Sequence, residues 1–207
     1  IVKNFSLIVA IYNSTIVLYD WNSYLWASRG LWALQVYGHK NTKLLDGVWS
    51  KWEKEGREVS TSIPKANASN YKFESSLDSS IIAGFDEILE SIEDPKKIVC
   101  DTRSPEEYAG KDVRADRGGH IPNSKNVNWV MGVNEEGEFK SASELKQLYE
   151  GAGITNGETI YTLCQTAVRA THTWFILTDL LGEESVKVYD GSWTEWGNDP
   201  SLPIETR

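Results

Sequence analysis

The sequence predicts an α/β fold built from two copies of one domain, each an open parallel sheet flanked by helices, with the first copy incomplete at its amino end. Short apolar runs alternate with helix-like segments, which is typical of parallel strands joined by helices. The sequence also matches itself without gaps at an offset of 144 residues. That spacing is too long for a solenoid and indicates a duplicated domain.

The repeat is clearest in two stretches. Residues 15–20 match residues 159–164, and residues 43–52 match residues 187–196, where the Asp-Gly pairs and the tryptophans stay in register. We therefore predict three parts along the chain: a partial domain over 1–59, a linker over 60–80 and a complete domain over 81–207.

The first copy has only residues 1–14 in place of the long stretch that precedes the second match. Because the chain begins with Ile, we expect a fragment or a processed chain. A degenerate half-domain packed on the second copy is the alternative.

The complete copy supplies the individual elements, read from apolar spacing, capping residues and turn residues. The predicted order is a helix over 83–91, a strand over 97–100, a helix capped by Ser104 with Pro105 at its first position, a turn at 118–122, a strand over 125–127, a helix over 141–151, a strand over 158–163, a helix over 170–181 closed by Gly182, a strand over 185–189 and a short helix carrying Trp193 and Trp196.

Composition narrows the class of protein. A formal charge of −9 and a pI near 4.9 argue against a nucleic-acid binder, because phosphate contacts need clustered basic residues. No apolar run reaches the roughly 18 residues of a membrane span, and no secretory signal is recognisable, so we expect a cytoplasmic protein. Two cysteines and three scattered histidines have no metal-ligand spacing, so neither a metal nor an organic cofactor is predicted.

Cys164 is the candidate nucleophile because it follows a buried strand and precedes a short loop and a helix. Loop N–H groups and a helix N-terminus favour an anion, and Arg169 adds a positive charge five positions later. The alternative is a buried structural cysteine. Cys100 ends an apolar strand and is expected to be an inert core thiol.

Four segments together resemble the tandem-domain rhodanese family of sulfurtransferases, which implies the expected activity and roles. They are the loop and helix over 164–175, the acidic-Arg motif over 101–108, the Gly-His-Ile-Pro turn within 117–124 and the Asp-Gly-Ser-Trp motif over 190–193. The resemblance implies that Cys164 takes a sulfur from a small anionic donor such as thiosulfate, holds it as a persulfide and passes it to a thiol or cyanide. Asp20 stands where the first domain of tandem members carries Asp, which implies a non-catalytic first copy.

The resemblance also implies roles for individual residues. Arg169 is the first candidate for binding the donor's anionic group and Arg117 the second, while Asp101 and Arg103 are expected to form a structural pair. The remaining loop residues are expected to contact the donor: Gln165, Thr166, Ala167 and Val168.

This loop differs from the family pattern at two positions. Gln165 is neutral where thiosulfate-using relatives carry a basic residue, and mercaptopyruvate-using relatives carry small residues there. Ala167 stands where many relatives have Gly. A 3-mercaptopyruvate sulfurtransferase is therefore the alternative within the family.

Two other classes of function are weighed against a sulfurtransferase. A cysteine phosphatase also uses a Cys-to-Arg loop, but with five intervening residues, whereas four separate Cys164 from Arg169. A non-catalytic binding or regulatory module would keep the fold without forming a persulfide.

Overall fold

The computed structural model describes residues 14–62, 71–73, 76–154 and 159–206. The chain forms two compact units, a first unit up to Asp78 and a second unit from Ser79 onward. Part of the predicted linker, residues 63–70 and 74–75, lies outside the described residues. In the part of the chain that is described, no helix combines the length and the apolar character needed to span a membrane.

The first unit contains a small parallel sheet. Strands β1 (Ile16–Leu18) and β2 (Thr42–Leu44) pair in parallel, connected by helix α1 (Leu25–Val36), and the short helix α2 (Trp49–Lys54) follows. Two adjacent parallel strands joined by a helix form a βαβ unit.

The second unit contains a five-stranded sheet with every pair parallel. Its elements in chain order are β3 (Ile82–Ala83), α3 (Phe85–Ser91), β4 (Lys97–Asp101), α4 (Pro105–Tyr108), β5 (Lys125–Asn126), α5 (Ala142–Gly151), β6 (Thr159–Leu163), α6 (Val168–Phe175), β7 (Val186–Tyr189) and α7 (Ser192–Trp196). The strand order is β3-β7-β6-β4-β5, so β6 is central and its carboxyl end lies between those of β4 and β7. This confirms the predicted α/β fold with a parallel sheet flanked by helices.

The strand pairing follows the sequence repeat. Ile16 lies opposite Thr42 in the first unit, and Ile160 lies opposite Val186 in the second, which is the same register at the offset of 144 residues. Backbone geometry and sequence therefore agree on which positions correspond.

Two predicted boundaries were wrong. Residue 83 does not open a helix but forms β3 together with Ile82, because both pair with β7, and α3 begins only at Phe85. The helix after the cysteine loop begins at Val168 rather than at residue 170, and past Phe175 it continues as a π-helix over Ile176–Leu180.

One hydrophobic core cluster of the second unit includes residues of strands β3, β4, β6 and β7. It contains two fully buried tryptophans of α7, Trp193 and Trp196, packed with Ile88, Ile121 and Leu163. Burial of such large side chains fixes the turn after β7 firmly against the sheet.

Candidate active site

Cys164 stands at the carboxyl end of the central strand β6. The loop that follows it, residues 164–167, leads directly into α6 at Val168. Ala167 adopts a left-handed conformation with φ of 60°, which turns the chain into the helix without a glycine. Cys164 is buried, with 1% of its surface exposed.

The turn after β7 holds the backbone of the cysteine loop. The Cys164 N–H donates to the Ser192 hydroxyl at 3.2 Å, and the Trp193 N–H donates to the Cys164 carbonyl at 2.9 Å. Thr194 donates its N–H (3.1 Å) and its hydroxyl (2.6 Å) to the Gln165 carbonyl. Three successive residues therefore fix the first two peptides of the loop.

Arg169 forms a bidentate ion pair with Glu107 beside the sulfur. Its Nη1 donates to Oε2 at 2.6 Å and its Nη2 to Oε1 at 2.9 Å. Burial raises the pKa of Glu107, but the Arg169 hydrogen bond, a Ser104 backbone hydrogen bond and the charges of Arg169 and Arg114 outweigh it and lower the pKa to about 2. Burial lowers the pKa of Arg169, but its interactions with Glu107 and the Cys164 sulfur raise it above the ordinary value. Both groups are therefore ionised at neutral pH.

The remaining loop side chains differ in exposure. Gln165 donates from Nε2 to the Arg114 carbonyl at 2.8 Å, whereas Thr166 is exposed and Ala167 is buried. Val168 is half-buried. Thr166 is therefore the loop side chain that faces solvent most openly.

The equivalent loop of the first unit holds a carboxylate. Asp20 accepts four backbone N–H hydrogen bonds: Asn22 and Tyr24 donate to one oxygen, both at 2.9 Å, and Trp26 and Ala27 donate to the other at 2.8 and 2.9 Å. Amides that converge at a helix N-terminus stabilise an anion. This loop backbone is thus an anion cradle.

The two loops share part of their backbone geometry and differ at one position, where Tyr24 is left-handed with φ of 64° and its counterpart Val168 begins a helix. Ser23 and Ala167, at equivalent positions, are both left-handed, with φ of 52° and 60°. The Trp49 amide donates to the Asp20 carbonyl as the Trp193 amide does to the Cys164 carbonyl, at 3.0 and 2.9 Å. The cradle seen around the carboxylate is therefore a partial reference for the cysteine loop.

The sequence predicted that loop amides converge on the sulfur of Cys164, and the structure does not show this convergence. Among the described hydrogen bonds, none runs from a loop amide to that sulfur. The two side chains differ in reach, because a carboxylate oxygen is two bonds from Cβ and a thiol sulfur only one. A cradle like the one around Asp20 holds its acceptor atom one bond further from Cβ than a thiol sulfur lies.

Asp101 and Arg103 form a buried pair at the end of β4. The Arg103 Nη2 donates to Asp101 at 2.6 Å and to the Gly119 carbonyl at 2.7 Å, and its guanidinium lies 4.1 Å from the centre of a Trp193 ring. This arrangement ties the end of β4 to the 118–122 turn and to α7.

Arg117, the second candidate for donor binding, is engaged elsewhere. Its guanidinium donates to the carbonyls of Trp196 and Leu202, both at 2.9 Å, and to the carbonyl of Asp199. Because these contacts occupy its terminal nitrogens, we reassign Arg117 from the donor site to the scaffold that fixes the C-terminal segment.

Cys100 lies inside β4 and is fully buried. Burial, and to a lesser extent the charge of Asp101, raises the pKa of its thiol well above the ordinary value. A thiol that stays protonated is a poor nucleophile.

Sequence reasoning missed three residues around the cysteine loop. No individual role was predicted for Glu107, which the structure shows to complete a capping box with Ser104, or for Ser192 and Thr194. All three follow β4 or β7, the two neighbours of β6. The signal that could have found them is the strand order, since carboxyl ends of adjacent parallel strands meet at one edge.

Comparison with known families gives the class to which this fold and site belong. The model of the rhodanese-like domain family matches residues 85–199, more than half of the chain. The chain belongs to the rhodanese family of sulfurtransferases.

Two relatives match nearly the whole chain. It is 42% identical over 201 residues to a Saccharopolyspora erythraea protein named "Putative thiosulfate sulfurtransferase", covering 93% of this chain and 70% of the relative. It is also 42% identical over 203 residues to the sulfur carrier protein TtuD of Thermus thermophilus, covering 93% of this chain and 71% of TtuD.

Solved structures share the fold at low sequence identity. The anaerobic ergothioneine biosynthesis enzyme of Chlorobium limicola superposes with a TM-score of 0.86 at 23% identity, over 99% of this chain and 54% of that structure. A persulfide-bearing form of EanB gives a TM-score of 0.87 at 22% identity, also over 54% of its chain. This chain spans about half the length of these structures, and the likeness shows the fold alone.

Proposed function

We propose that this protein is a sulfurtransferase that moves a sulfane sulfur from thiosulfate to a thiol or cyanide through a persulfide on Cys164. The observation that carries the proposal is the cysteine at the end of β6, beside Arg169, at the position whose counterpart Asp20 sits in an anion cradle. The names of the 42%-identical relatives support a sulfur-transfer role.

The first half-reaction loads the enzyme. The Cys164 thiolate attacks the outer sulfur of thiosulfate, a sulfur–sulfur bond forms, and the bond from that sulfur to the sulfonate group breaks. Sulfite leaves with the bonding electrons. Arg169, positively charged beside the sulfur, is the residue proposed to attract the donor's anionic group.

The second half-reaction unloads the enzyme. The acceptor, cyanide or a thiolate, attacks the outer sulfur of the persulfide and leaves with it, and the electron pair of the broken bond returns to Cys164 as thiolate. Because donor and acceptor react in separate steps, the scheme requires ping-pong kinetics.

The first-unit loop suggests how a persulfide is stabilised. Its outer sulfur lies two bonds from Cβ, as the Asp20 oxygens do, and those oxygens receive four amide hydrogen bonds. By this comparison, the amides of the cysteine loop serve the persulfide rather than the thiol. Hydrogen bonds that form only to the transferred sulfur stabilise the loaded enzyme relative to the free enzyme.

We also propose that the two units are tandem rhodanese-like domains, with a partial first domain over 1–59 and a catalytic domain over 81–207. The first has no activity of its own, because a carboxylate held at Asp20 cannot accept and release a sulfane sulfur.

A 3-mercaptopyruvate donor is the second candidate, and a specific feature favours it. The residue after Cys164 is the neutral Gln165, and the Arg169 charge is opposed by Glu107, which makes this site less cationic than a thiosulfate site with an added basic residue.

Mass spectrometry after donor treatment tests the proposal. Thiosulfate should add the mass of one sulfur to Cys164 and none to Cys100, and subsequent cyanide should remove it and release thiocyanate. Cys164→Ser should lose turnover with thiosulfate and with 3-mercaptopyruvate alike. Comparing the two donors in the wild-type protein ranks the candidates.

The non-catalytic module makes the opposite prediction. If neither donor adds sulfur to Cys164, or if Cys164→Ser transfers sulfur as fast as the wild-type protein, the enzyme proposal is refuted.

A further inference from the structure

The cysteine site is surrounded by charges that balance one another. Glu107 pairs with Arg169 through both oxygens, and Arg114 approaches Glu107 to 3.7 Å while it pairs with Asp112 at 2.6 Å. Two cations and two carboxylates therefore lie together on one side of the loop.

Burial makes the inner pair the important one. The Glu107 side chain is 1% exposed and that of Arg169 is 17% exposed, whereas Arg114 is 54% exposed. Solvent and salt screen charges less when they are buried, so an anion at the sulfur interacts strongly with both members of the inner pair.

We propose that Glu107 is a specificity-determining residue that opposes the charge of Arg169 and so lowers the preference of the site for sulfur donors with two negative charges relative to donors with one. The inference rests on the proposed function, because it concerns the donor that loads Cys164. Glu107 acts on the donor by its charge and not by its shape, because its side chain is paired with Arg169.

The argument follows from how electrostatic energy scales. The electrostatic energy between a donor and the Arg169–Glu107 pair is proportional to the donor's charge. The repulsion from the Glu107 carboxylate is therefore twice as large for a dianion as for a monoanion. Any effect of Glu107 on the thiol itself is common to both donors. The ratio of kcat/KM for the two donors therefore isolates the effect of donor charge.

Thiosulfate and methanethiosulfonate form a suitable pair of donors. Both present a terminal sulfane sulfur bonded to a sulfonyl sulfur, and replacement of one oxygen by a methyl group lowers the charge from −2 to −1. Attack by the Cys164 thiolate gives the same persulfide in each case, with sulfite leaving from one donor and methanesulfinate from the other.

Glu107→Gln removes the charge and preserves the size of the side chain and one acceptor oxygen. We expect the ratio of kcat/KM for thiosulfate to that for methanethiosulfonate to rise about tenfold, the effect of about 1.4 kcal/mol on a rate constant. Glu106→Gln is the matched control, since this neighbouring residue is exposed and the substitution changes the net charge equally. Its ratio should stay within about twofold of wild type at moderate salt.

Arg114→Gln tests the same idea in the opposite direction and does not disturb the buried pair. Loss of this exposed cation should lower the ratio, by about twofold to threefold because solvent screens it. This variant keeps the inference testable if Glu107→Gln folds poorly.

The outcomes separate this inference from the proposed function. If both donors load Cys164 but the ratio is unchanged or lower in Glu107→Gln, or unchanged or higher in Arg114→Gln, the inference is overturned and the function stands. If neither donor loads Cys164 in the wild-type protein, both are overturned.

Discussion

The substitution Asp20→Asn tests whether the loop that follows β1 is built to hold an anion. The carboxylate accepts four amide hydrogen bonds between 2.8 and 2.9 Å and is 6% exposed. Asn has nearly the same shape, but only its oxygen can accept, and its NH2 group would face two N–H donors. Two bonds to a charged acceptor are therefore lost, and two amides, one of them buried, lose their partners.

The expected cost follows from those two bonds. Hydrogen bonds to charged groups contribute about 1.5–3 kcal/mol each, so the loss amounts to about 3 kcal/mol or more before the loop relaxes. This is a large part of the stability of an ordinary small domain. Opening of the first unit should become about a hundredfold more frequent.

Hydrogen exchange followed by mass spectrometry is the appropriate measurement, because it reports on each unit separately. Peptides that span residues 20–27 should exchange about a hundredfold faster in Asp20→Asn, while peptides of the second unit keep their rates. Asp46→Asn is the control, since Asp46 is exposed and the charge change is the same. Unchanged exchange in Asp20→Asn would refute the cradle and, with it, the argument from Asp20 to the persulfide.

Three further outcomes are expected. Because the pKa of Glu107 is lowered to about 2, its contribution to stability is complete above the unfolded pKa of about 4.5 and is lost as pH falls toward 2; urea unfolding across this window should show a smaller pH dependence in Glu107→Gln. Cys100→Ala should keep sulfur loading on Cys164 unchanged by mass spectrometry, because the buried Cys100 thiol stays protonated, and should lower the unfolding free energy by about 1–2 kcal/mol. Arg117→Met should lower stability by about 2–4 kcal/mol and accelerate exchange over residues 196–203, because several carbonyls lose their donor; an altered preference between thiosulfate and 3-mercaptopyruvate would instead return Arg117 to the donor site.

Local signals in the sequence predicted the elements well. The Ser104 capping box and Pro105 place the start of α4 correctly, because caps and fixed φ angles act within one turn. The strands at 97–101 and 159–163 follow from apolar runs that end at polar residues. The start of α6 was placed two residues too late, because Ala167 takes a left-handed turn that no glycine marks in the sequence.

The candidate site could be predicted only in part. The position of Cys164 follows from a strand, a loop and a helix that are contiguous in sequence. The pairing of Arg169 with Glu107 joins residues 62 positions apart and depends on β4 being the neighbour of β6, which no local pattern encodes. The reassignment of Arg117 has the same cause, since its partners lie about 80 positions further along the chain.

The Asp20 carboxylate, which occupies the amide cradle of the first unit, affects how many anions this protein can bind. A side chain already saturates its amides, so external oxyanions such as sulfate or sulfite have no vacancy to occupy there. Equilibrium titration with a non-transferable anion should therefore approach a stoichiometry of one per chain, although the sequence matches itself at an offset of 144 residues. The protein thus carries, in its first unit, an occupied counterpart of the cysteine loop.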